Sequence, residues 1–243
     1  MQMKYDKIIY EVKENIGFVT LNNPDKMNCI GFDLLNALDN VIERIKTDSN
    51  VKVVIIKGAG GKAFSAGGDL KEFRNLKPDE EIEWIELGNS VFNKIESLSK
   101  PTIAFIDGYA LGGGLELALA CDLRIGTSNA VLSFPEIQHG WLPGWGGMVR
   151  MRRLFGESVA KEVIFLCEKI NAEKALQFGI INRLVDSKES EEFKDLIEIL
   201  VSLDTSAFAI TKAAIANEYR KTSGSDVNHD VLATKYLKKK AYK

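Results

Sequence analysis

A run of three glycines followed closely by a glutamate is the part of the sequence best suited to chemistry on a negatively charged group. The segment DGYALGGGLELALACDLRI places residues 112–114 at the start of a predicted helix, where unpaired backbone N–H groups and the helix dipole favour developing negative charge. Glu116 follows Gly113 by three residues, so its side chain faces the same side of the helix start. An anion hole and a carboxylate could therefore meet here, although a tight turn and a carboxylate that compensates the helix dipole would explain the same residues.

The elements around this segment alternate between strands and helices. In chain order, periodicity and turn residues predict a hairpin at 8–12 and 16–21, a helix at 31–45, a strand at 51–56, a Gly-rich loop at 58–69, a helix at about 80–98, a strand at 102–106, a helix at 115–121, and strands at 123–127 and 131–134. Helical patterns dominate after residue 157, apart from a short apolar run at 180–185. The sequence therefore predicts a layered α/β core with β-α-β units over residues 1–189 and a helical C-terminal region over residues 190–243.

Composition limits the classes of protein to which the chain belongs. It has 243 residues, 45% of them hydrophobic, which is enough for one substantial core. With 34 acidic and 32 basic side chains, there is no overall charge to attract nucleic acid or anionic lipid. Cys29, Cys121 and Cys167 are too few and too widely spaced to predict a disulfide framework or a metal site. Charges interrupt the N-terminus and no apolar stretch reaches about 18 residues, so we expect no signal peptide and no membrane span. The cysteine usage favours a reducing cytoplasm, and no His, Cys, Asp and Glu spacing of the metal type occurs, so we expect a cytoplasmic protein without a bound metal.

Three further segments contain glycine and polar residues in a distinctive order. They are LNNPDKMNCIGFDLLNAL at 21–38, FSAGGDLKEF at 64–73 and SFPEIQHGWLPGWGG at 133–147. Together with the glycine-glutamate segment, and at these intervals, they resemble the enoyl-CoA hydratase/isomerase (crotonase) family from about residue 8 to residue 186. The resemblance implies a crotonase-like α/β fold and an enzyme that adds water reversibly to a 2-enoyl-CoA thioester, giving a 3-hydroxyacyl-CoA.

The resemblance also implies roles for individual residues. The backbone N–H groups of Gly68 and Gly113 correspond to the family's oxyanion hole, where two preset donors stabilise the enolate-like charge of the transition state. Glu116 and Glu136 fall on the two glutamate positions of hydratases, where Glu116 activates the water and Glu136 exchanges a proton with the α carbon. The residues implied to contact CoA are Lys26 near the nucleotide and, along the pantetheine and thioester, Ala66, Gly68, Asp69, Leu70 and Lys71. For the two lysines, solvated surface charge explains the sequence equally well.

The family further implies what the chain binds. CoA is part of the substrate, so no bound cofactor is expected, and the active form is expected to be a homotrimer or a dimer of trimers. The helical C-terminal region would then serve assembly and cover the site. Residues 238–240 and Tyr242 would either touch the nucleotide phosphates across a subunit interface or form a solvated tail.

Some residues leave other functions open. Trp141 and Trp145 stand where the family usually has smaller residues, so they either narrow the acyl pocket and stack on a flat acyl group, or pack under the next helix or at a subunit contact. The alternative enzyme is therefore a crotonase-fold isomerase, lyase or decarboxylase acting on a more elaborate acyl-CoA or carrier-protein thioester. A non-enzymatic RNA-binding or scaffold role fits less well, because the charge balance is slightly acidic and both glutamates are present.

Two weaker patterns point to other chemistry. Residues 58–63 match the dinucleotide fingerprint G-x-G-x-x-A, but a second loop intervenes before any helix. The two histidines, His139 and His229, are not accompanied by a G-x-S-x-G elbow, so a hydrolytic triad is not predicted. His139 lies three residues beyond Glu136, where it either tunes the site or is a packed or partly exposed side chain.

Overall fold

The computed structural model describes residues 2–5 and 7–218, and these form two β-sheets with helices packed against them. The strands are β1 Gln2–Tyr5, β2 Ile8–Lys13, β3 Ile16–Leu21, β4 Val53–Gly58, β5 Ala63–Ser65, β6 Thr102–Ile106, β7 Tyr109–Leu111, β8 Leu123–Gly126, β9 Val131–Ser133, β10 Ile170–Asn171 and β11 Arg183–Leu184. The α-helices are α1 Phe32–Thr47, α2 Leu70–Phe73, α3 Pro78–Glu96, α4 Gly113–Leu119, α5 Gly147–Leu166, α6 Ala172–Gln177, α7 Glu191–Ser202 and α8 Thr205–Glu218. Short 3-10 helices span Pro24–Lys26 and Glu136–His139. His229, residues 238–240 and Tyr242 lie outside the described residues.

The larger sheet has seven strands in the order β1-β2-β3-β4-β6-β8-β11. β1, β2 and β3 pair antiparallel, and from β3 onward every neighbouring pair is parallel. Its central strands are apolar on both faces, since Val54 and Ile56 of β4 join the larger hydrophobic cluster while Val53 and Ile55 join the smaller one. Phe193 of α7 belongs to the smaller cluster and covers that face. Burial on both faces is typical of parallel strands, because the connecting helices pack against the sheet.

The smaller sheet, in the order β10-β9-β7-β5, places the loops of the site side by side. β5 and β7 are parallel, so the loops that follow them leave the same edge of the sheet. The loop after β5 runs through Gly67 and Gly68 to α2, and the loop after β7 passes through Gly112 directly into α4. The two loops are in contact, because a Cβ on Gly67 would lie 3.2 Å from the Gly113 amide nitrogen. Of this sheet, only β9 is among the predicted strands, because strands of two or three residues contain too few positions to show alternation.

Most predicted elements occur in the structure. The N-terminal hairpin is β2 and β3, and the predicted β-α-β unit is β3, α1 and β4, with β3 and β4 parallel. Helices dominate after residue 157, as predicted, but the first of them, α5, already begins at Gly147. Gly156, with φ of 82° and ψ of 168°, interrupts the helical path inside α5, and this kink divides its apolar periodicity into two short pieces. In the apolar run at 180–185, only Arg183–Leu184 pairs as a strand, beside β8.

Within the described part of the chain, no single helix is long and apolar enough to cross a membrane. The pair formed by α7 and α8, which is bent by 98°, reaches that length and hydropathy only when the two helices are counted together.

Candidate active site

Glu116 is a buried carboxyl group at the start of α4. The residue is 2% exposed, and its Oε1 accepts hydrogen bonds from the backbone N–H groups of Trp145 and Gly147, each at 2.8 Å. Gly112 precedes the helix with φ of 49° and ψ of −123°, a conformation that glycine adopts without steric cost. The chain therefore turns sharply into α4, and the first turn of the helix directs Glu116 at the loop before α5.

Glu136 opens the 3-10 helix after β9 and reaches the same glycine turn. A Cβ on Gly112 would lie 2.6 Å from Glu136 Oε1, so glycine leaves the room that this carboxyl group occupies. The other carboxyl oxygen, Oε2, is buried and has no hydrogen-bond partner among the described residues. Buried polar atoms are nearly always paired in folded proteins, and the exceptions concentrate at sites with a catalytic or binding role.

Burial raises the pKa of both carboxyl groups to near-neutral values. The pKa of Glu116 rises to about 8, because burial outweighs the stabilising Gly147 N–H and the charge of Glu136 adds to the effect. The pKa of Glu136 rises to about 7, again through burial. Interacting acids titrate as a pair, so the two carboxyl groups retain a proton between them near neutral pH. One can then donate a proton while the other accepts one, which is the state that acid-base catalysis requires.

The backbone amides of Gly68 and Gly113 lie next to each other where two loops meet, the first glycine loop after β5 and the second glycine loop after β7. A Cβ on Gly113 would lie 3.4 Å from the Gly68 nitrogen. Gly113 is the first residue of α4, so its amide has no acceptor within the helix and lies at the positive end of the helix dipole. The hydrogen bonds among the described residues include none donated by the Gly68 amide. Two neighbouring amides of this kind are suited to bind one oxygen atom that carries negative charge.

These groups surround one cavity of about 150 Å³. Its lining combines the two glycine loops, the two carboxyl groups and a largely aromatic surface: Ala66, Gly67, Gly68, Leu70, Phe73, Trp84, Ile85, Gly112, Gly113, Glu116, Pro135, Glu136, His139, Trp141, Leu142, Gly144 and Trp145. The arrangement can hold a carbonyl oxygen at the amides and transfer protons at the carbons beside it.

Residues 11–242 match the family model described as enoyl-CoA hydratase/isomerase. This chain belongs to the enoyl-CoA hydratase/isomerase family. It is 40% identical to the short-chain-enoyl-CoA hydratase of Clostridium acetobutylicum over 214 residues, which are 88% of this chain and 82% of that protein. It is 38% identical to the crotonyl-CoA hydratase of Syntrophomonas wolfei over 221 residues, which are 90% of this chain and 85% of that protein.

Solved structures of hydratases share the fold. The crystal structure of the enoyl-CoA hydratase from Bacillus anthracis matches with a TM-score of 0.90 at 32% identity, covering 95% of this chain and 90% of that one. The predicted crotonase fold is therefore confirmed, as is the prediction of an enoyl-CoA hydratase, a hydro-lyase that acts on an acyl-CoA thioester. The family match continues past residue 186, where the sequence-based resemblance ended, into the C-terminal region.

The residues predicted to contact CoA are only partly brought to the cavity. Three of them line it, namely Ala66, Gly68 and Leu70. Lys26 and Asp69 instead form an ion pair beside the first glycine loop, with Nζ and Oδ2 2.8 Å apart. Asp69 also caps α2, because its Oδ1 accepts from the amides of Lys71 and Glu72. The Lys71 side chain is exposed, and it does not line the cavity.

The two tryptophans that depart from the family pattern both line the cavity, but in different ways. Trp145 is buried and packs edge-on against Trp84 with ring centroids 4.6 Å apart, while its Nε1 donates to the Trp84 carbonyl at 3.3 Å. Trp141 is half-buried and packs edge-on against Phe73 at 5.3 Å. Both therefore narrow the cavity, as one of the sequence-based alternatives expects. His139 is exposed at the cavity edge, which fits the partly exposed side chain rather than a packed one.

Sequence reasoning missed the groups that position the loop before α5, which contains Trp145 and is termed the Trp145 loop. Arg150 is buried, donates from Nη1 to the Trp145 carbonyl at 2.7 Å, and pairs through Nε with Glu96 of α3 at 2.9 Å. Arg150 therefore connects the Trp145 loop to α3. Breaking this connection would leave a buried charge without its partner, which is strongly unfavourable. Trp84 was also missed, because a tryptophan in an amphipathic helix is ordinarily a core residue and its spacing gives no sign of a cavity.

Proposed function

We propose that this chain adds water reversibly to a 2-enoyl-CoA thioester, with Glu116 and Glu136 transferring protons and the amides of Gly68 and Gly113 forming the oxyanion hole. The observation that carries the proposal is the convergence of two buried carboxyl groups and two neighbouring amides on one cavity. Water addition moves protons at two adjacent positions and places negative charge on the thioester oxygen, so the reaction uses all four groups.

One proton shared by the carboxyl pair serves both directions of the reaction. In hydration, Glu116 accepts a proton from water and Glu136 donates one to the α carbon. In dehydration, Glu136 accepts the α proton and Glu116 donates to the departing hydroxyl. Dehydration starts from the singly protonated pair with the proton on Glu116. Hydration starts from the same singly protonated pair with the proton on Glu136, so both directions share one pH dependence.

The hydrogen bonds of Glu116 explain how it is held for this role. The Trp145 and Gly147 amides both bind Oε1, so the carboxyl group is fixed in orientation and Oε2 is left to accept the proton of the water. The oxyanion hole acts at the same time on the developing charge. Each preset amide donor is worth roughly 3 kcal/mol of barrier, because it needs no reorganisation when the charge appears.

The CoA path, assembly and location are part of the same proposal. CoA would pass Lys26, Asp69, Leu70 and Lys71 on its way to the cavity, with the Lys26–Asp69 ion pair holding the lysine beside the first glycine loop. The chain would work in the cytoplasm as a homotrimer or dimer of trimers, without a bound metal or cofactor and without nucleic acid or membrane as partner. Large apolar side chains exposed on α5 support subunit contacts there, namely Met148, Val149, Leu154, Phe165 and Leu166.

A panel of trans-2-enoyl thioesters of CoA and of an acyl carrier protein tests the proposal. We expect loss of the enoyl-thioester absorbance on CoA substrates, with a product heavier by one water. Migration of the double bond without change of mass would instead identify an isomerase, and loss of carbon dioxide from a carboxylated acyl group would identify a decarboxylase. Turnover of the carrier-protein thioesters alone would contradict CoA as the carrier.

A further inference from the structure

Two indole rings occupy the space that side chains would take at Gly68 and Gly113, which line the cavity, and at Gly88 of α3. A Cβ on Gly68 would lie 2.6 Å from Cη2 of Trp84. Cβ atoms on Gly88 and Gly113 would both collide with the ring of Trp145. Gly88 lies inside α3, where glycine is disfavoured relative to alanine, so the ring of Trp145 explains why a glycine stands there.

Trp84 lies at the centre of an aromatic wall, which consists of Phe73, Trp84, Trp141 and Trp145. Its ring centroid is 5.0 Å from that of Phe73 and 4.6 Å from that of Trp145. Phe73 continues the wall to Trp141. All four rings line the cavity, and each is packed against another ring of the wall. Trp84 therefore cannot turn away from the cavity without displacing its neighbours.

The cavity that the aromatic wall lines is small. The cavity has a volume of about 150 Å³. In another protein, an apolar cavity of about this size holds one benzene molecule, that is about six carbon atoms. The sulfur, the carbonyl group and the remaining carbons of a four-carbon enoyl thioester add up to the same number of heavy atoms. The Trp84 ring lies directly beside Gly68, so an acyl chain that extended past Gly68 from the two amides would meet this ring.

We propose that Trp84 sets the acyl-length limit of the enzyme and restricts it to short 2-enoyl groups of about four carbons. The inference rests on the proposed function, because it takes Gly68 and Gly113 as the position of the thioester oxygen. Trp145 is less suited to this role, because its backbone N–H donates to Glu116 and its indole Nε1 donates a hydrogen bond to the Trp84 carbonyl of α3. The indole nitrogen of Trp84 has no hydrogen-bond partner among the described residues, so shortening this side chain breaks no hydrogen bond.

The test measures kcat/KM on four-, six-, eight- and ten-carbon trans-2-enoyl-CoA for the wild type, Trp84→Leu and Trp84→Phe. For the wild type, the eight-carbon substrate should be at least about 100-fold poorer than the four-carbon one, because forcing methylenes into a filled pocket is strongly unfavourable. Trp84→Leu should bring the two substrates within about tenfold of each other, and Trp84→Phe should give an intermediate ratio. Ile82→Ala is the matched control, because it shortens an exposed apolar side chain of the same helix away from the cavity and should keep the wild-type ratio. Trp141→Leu removes an indole from the half-buried end of the wall and should relieve the limit less than Trp84→Leu.

Near-equal kcat/KM of the wild type on all four lengths would overturn the proposal. Trp84 variants that keep the wild-type ratio, while retaining the native far-UV circular dichroism and four-carbon turnover, would overturn it as well. Relief of the limit by Trp141→Leu but not by the Trp84 variants would place the limit at the other end of the aromatic wall and refute the assignment to Trp84.

A double-mutant cycle with Gly68→Ala tests the contact itself and remains informative if one Trp84 variant does not fold. In the wild-type background, Gly68→Ala should lower four-carbon kcat roughly 100-fold, because the added Cβ meets the packed Trp84 ring and shifts the Gly68 amide. In the Trp84→Leu or Trp84→Phe background, the loss should shrink below about tenfold. Equal losses in all backgrounds would contradict the contact. Failure of the glutamate roles would appear differently, as near-wild-type rates of Glu116→Gln and Glu136→Gln at every chain length.

Discussion

Replacing Glu116 with glutamine should stabilise the folded protein while removing its activity, and the stabilisation should depend on pH. Oε1 of Glu116 accepts the amides of Trp145 and Gly147, and a glutamine oxygen can accept the same two hydrogen bonds. The loop before α5 is therefore expected to keep its geometry. The substitution removes the ionisable carboxyl group, and with it the cost of ionising that group in a buried site.

The magnitude follows from the pKa of Glu116, which is about 8 in the folded protein against 4.5 as its ordinary value. Because the folded-state pKa is raised, the stability that the protonated carboxyl contributes is fully present below pH 4.5 and is lost as the pH rises towards 8. Each pH unit within this window lowers the free energy of unfolding by about 1.4 kcal/mol. The free energy of unfolding of the variant minus that of the wild type should therefore be about 3 kcal/mol larger at pH 7 than at pH 4.

Denaturant unfolding at fixed protein concentration, from pH 4 to pH 8, measures this difference. The gap between Glu116→Gln and the wild type should widen with pH up to about 8. Glu136→Gln should show the same trend but level off earlier, because its pKa is raised only to about 7. Glu83→Gln, on the exposed face of α3, is the matched control, because it makes the same substitution in contact with water, and the widening for Glu116→Gln is measured against it. A constant gap for Glu116→Gln across the range would refute the reasoning that the site resists ionisation of this carboxyl group.

Three further predictions concern the reaction and the assembly. Glu116→Gln and Glu136→Gln should each slow hydration by roughly 10² to 10⁴ in kcat with little change in KM, and the double variant should be far from additive in steady-state assays. A silent Glu116→Gln beside an inactive Glu136→Gln would indicate the one-carboxylate chemistry of an isomerase. The wild-type pH dependence of kcat/KM should be bell-shaped, rising near pH 7 and falling near pH 8. Each glutamine variant should keep only one of the two limbs, because only one of the two carboxyl groups is left to titrate. Light scattering at micromolar concentration should give the mass of a trimer or a hexamer, and a monomer would contradict the proposed assembly.

The local part of the site could be predicted from the sequence, because it depends on residues close together in the chain. Gly113 and Glu116 belong to one helical turn, so helix geometry alone brings an unpaired amide near a carboxyl group. The meeting of Gly68 with Gly113 is different. It depends on the parallel pairing of β5 and β7, and strands of three residues leave no detectable period. Family resemblance, rather than periodicity, supplied that pair and the role of Glu136.

The long-range packing around the site could not be predicted for a related reason. Trp84 looks like a core residue of an amphipathic helix, and nothing near it in the chain indicates that its ring lies over Gly68. The buried Arg150 likewise connects the Trp145 loop to α3 through Glu96, a residue distant in sequence. Such contacts depend on how α3 packs against the loops of the site. They become visible only when the tertiary arrangement is known.

The glycine contacts also decide which substitution can test the oxyanion hole cleanly. From the sequence, Gly113→Pro is attractive, because proline removes the amide donor and is tolerated in the first turn of a helix. In the structure, however, a Cβ at Gly113 collides with Trp145, whose own amide holds Glu116. Loss of activity in Gly113→Pro would therefore combine a missing donor with a displaced carboxyl group. At Gly68 the colliding partner is Trp84, which can be shortened without breaking a hydrogen bond, so the effect of the amide can be separated there from the effect of the collision.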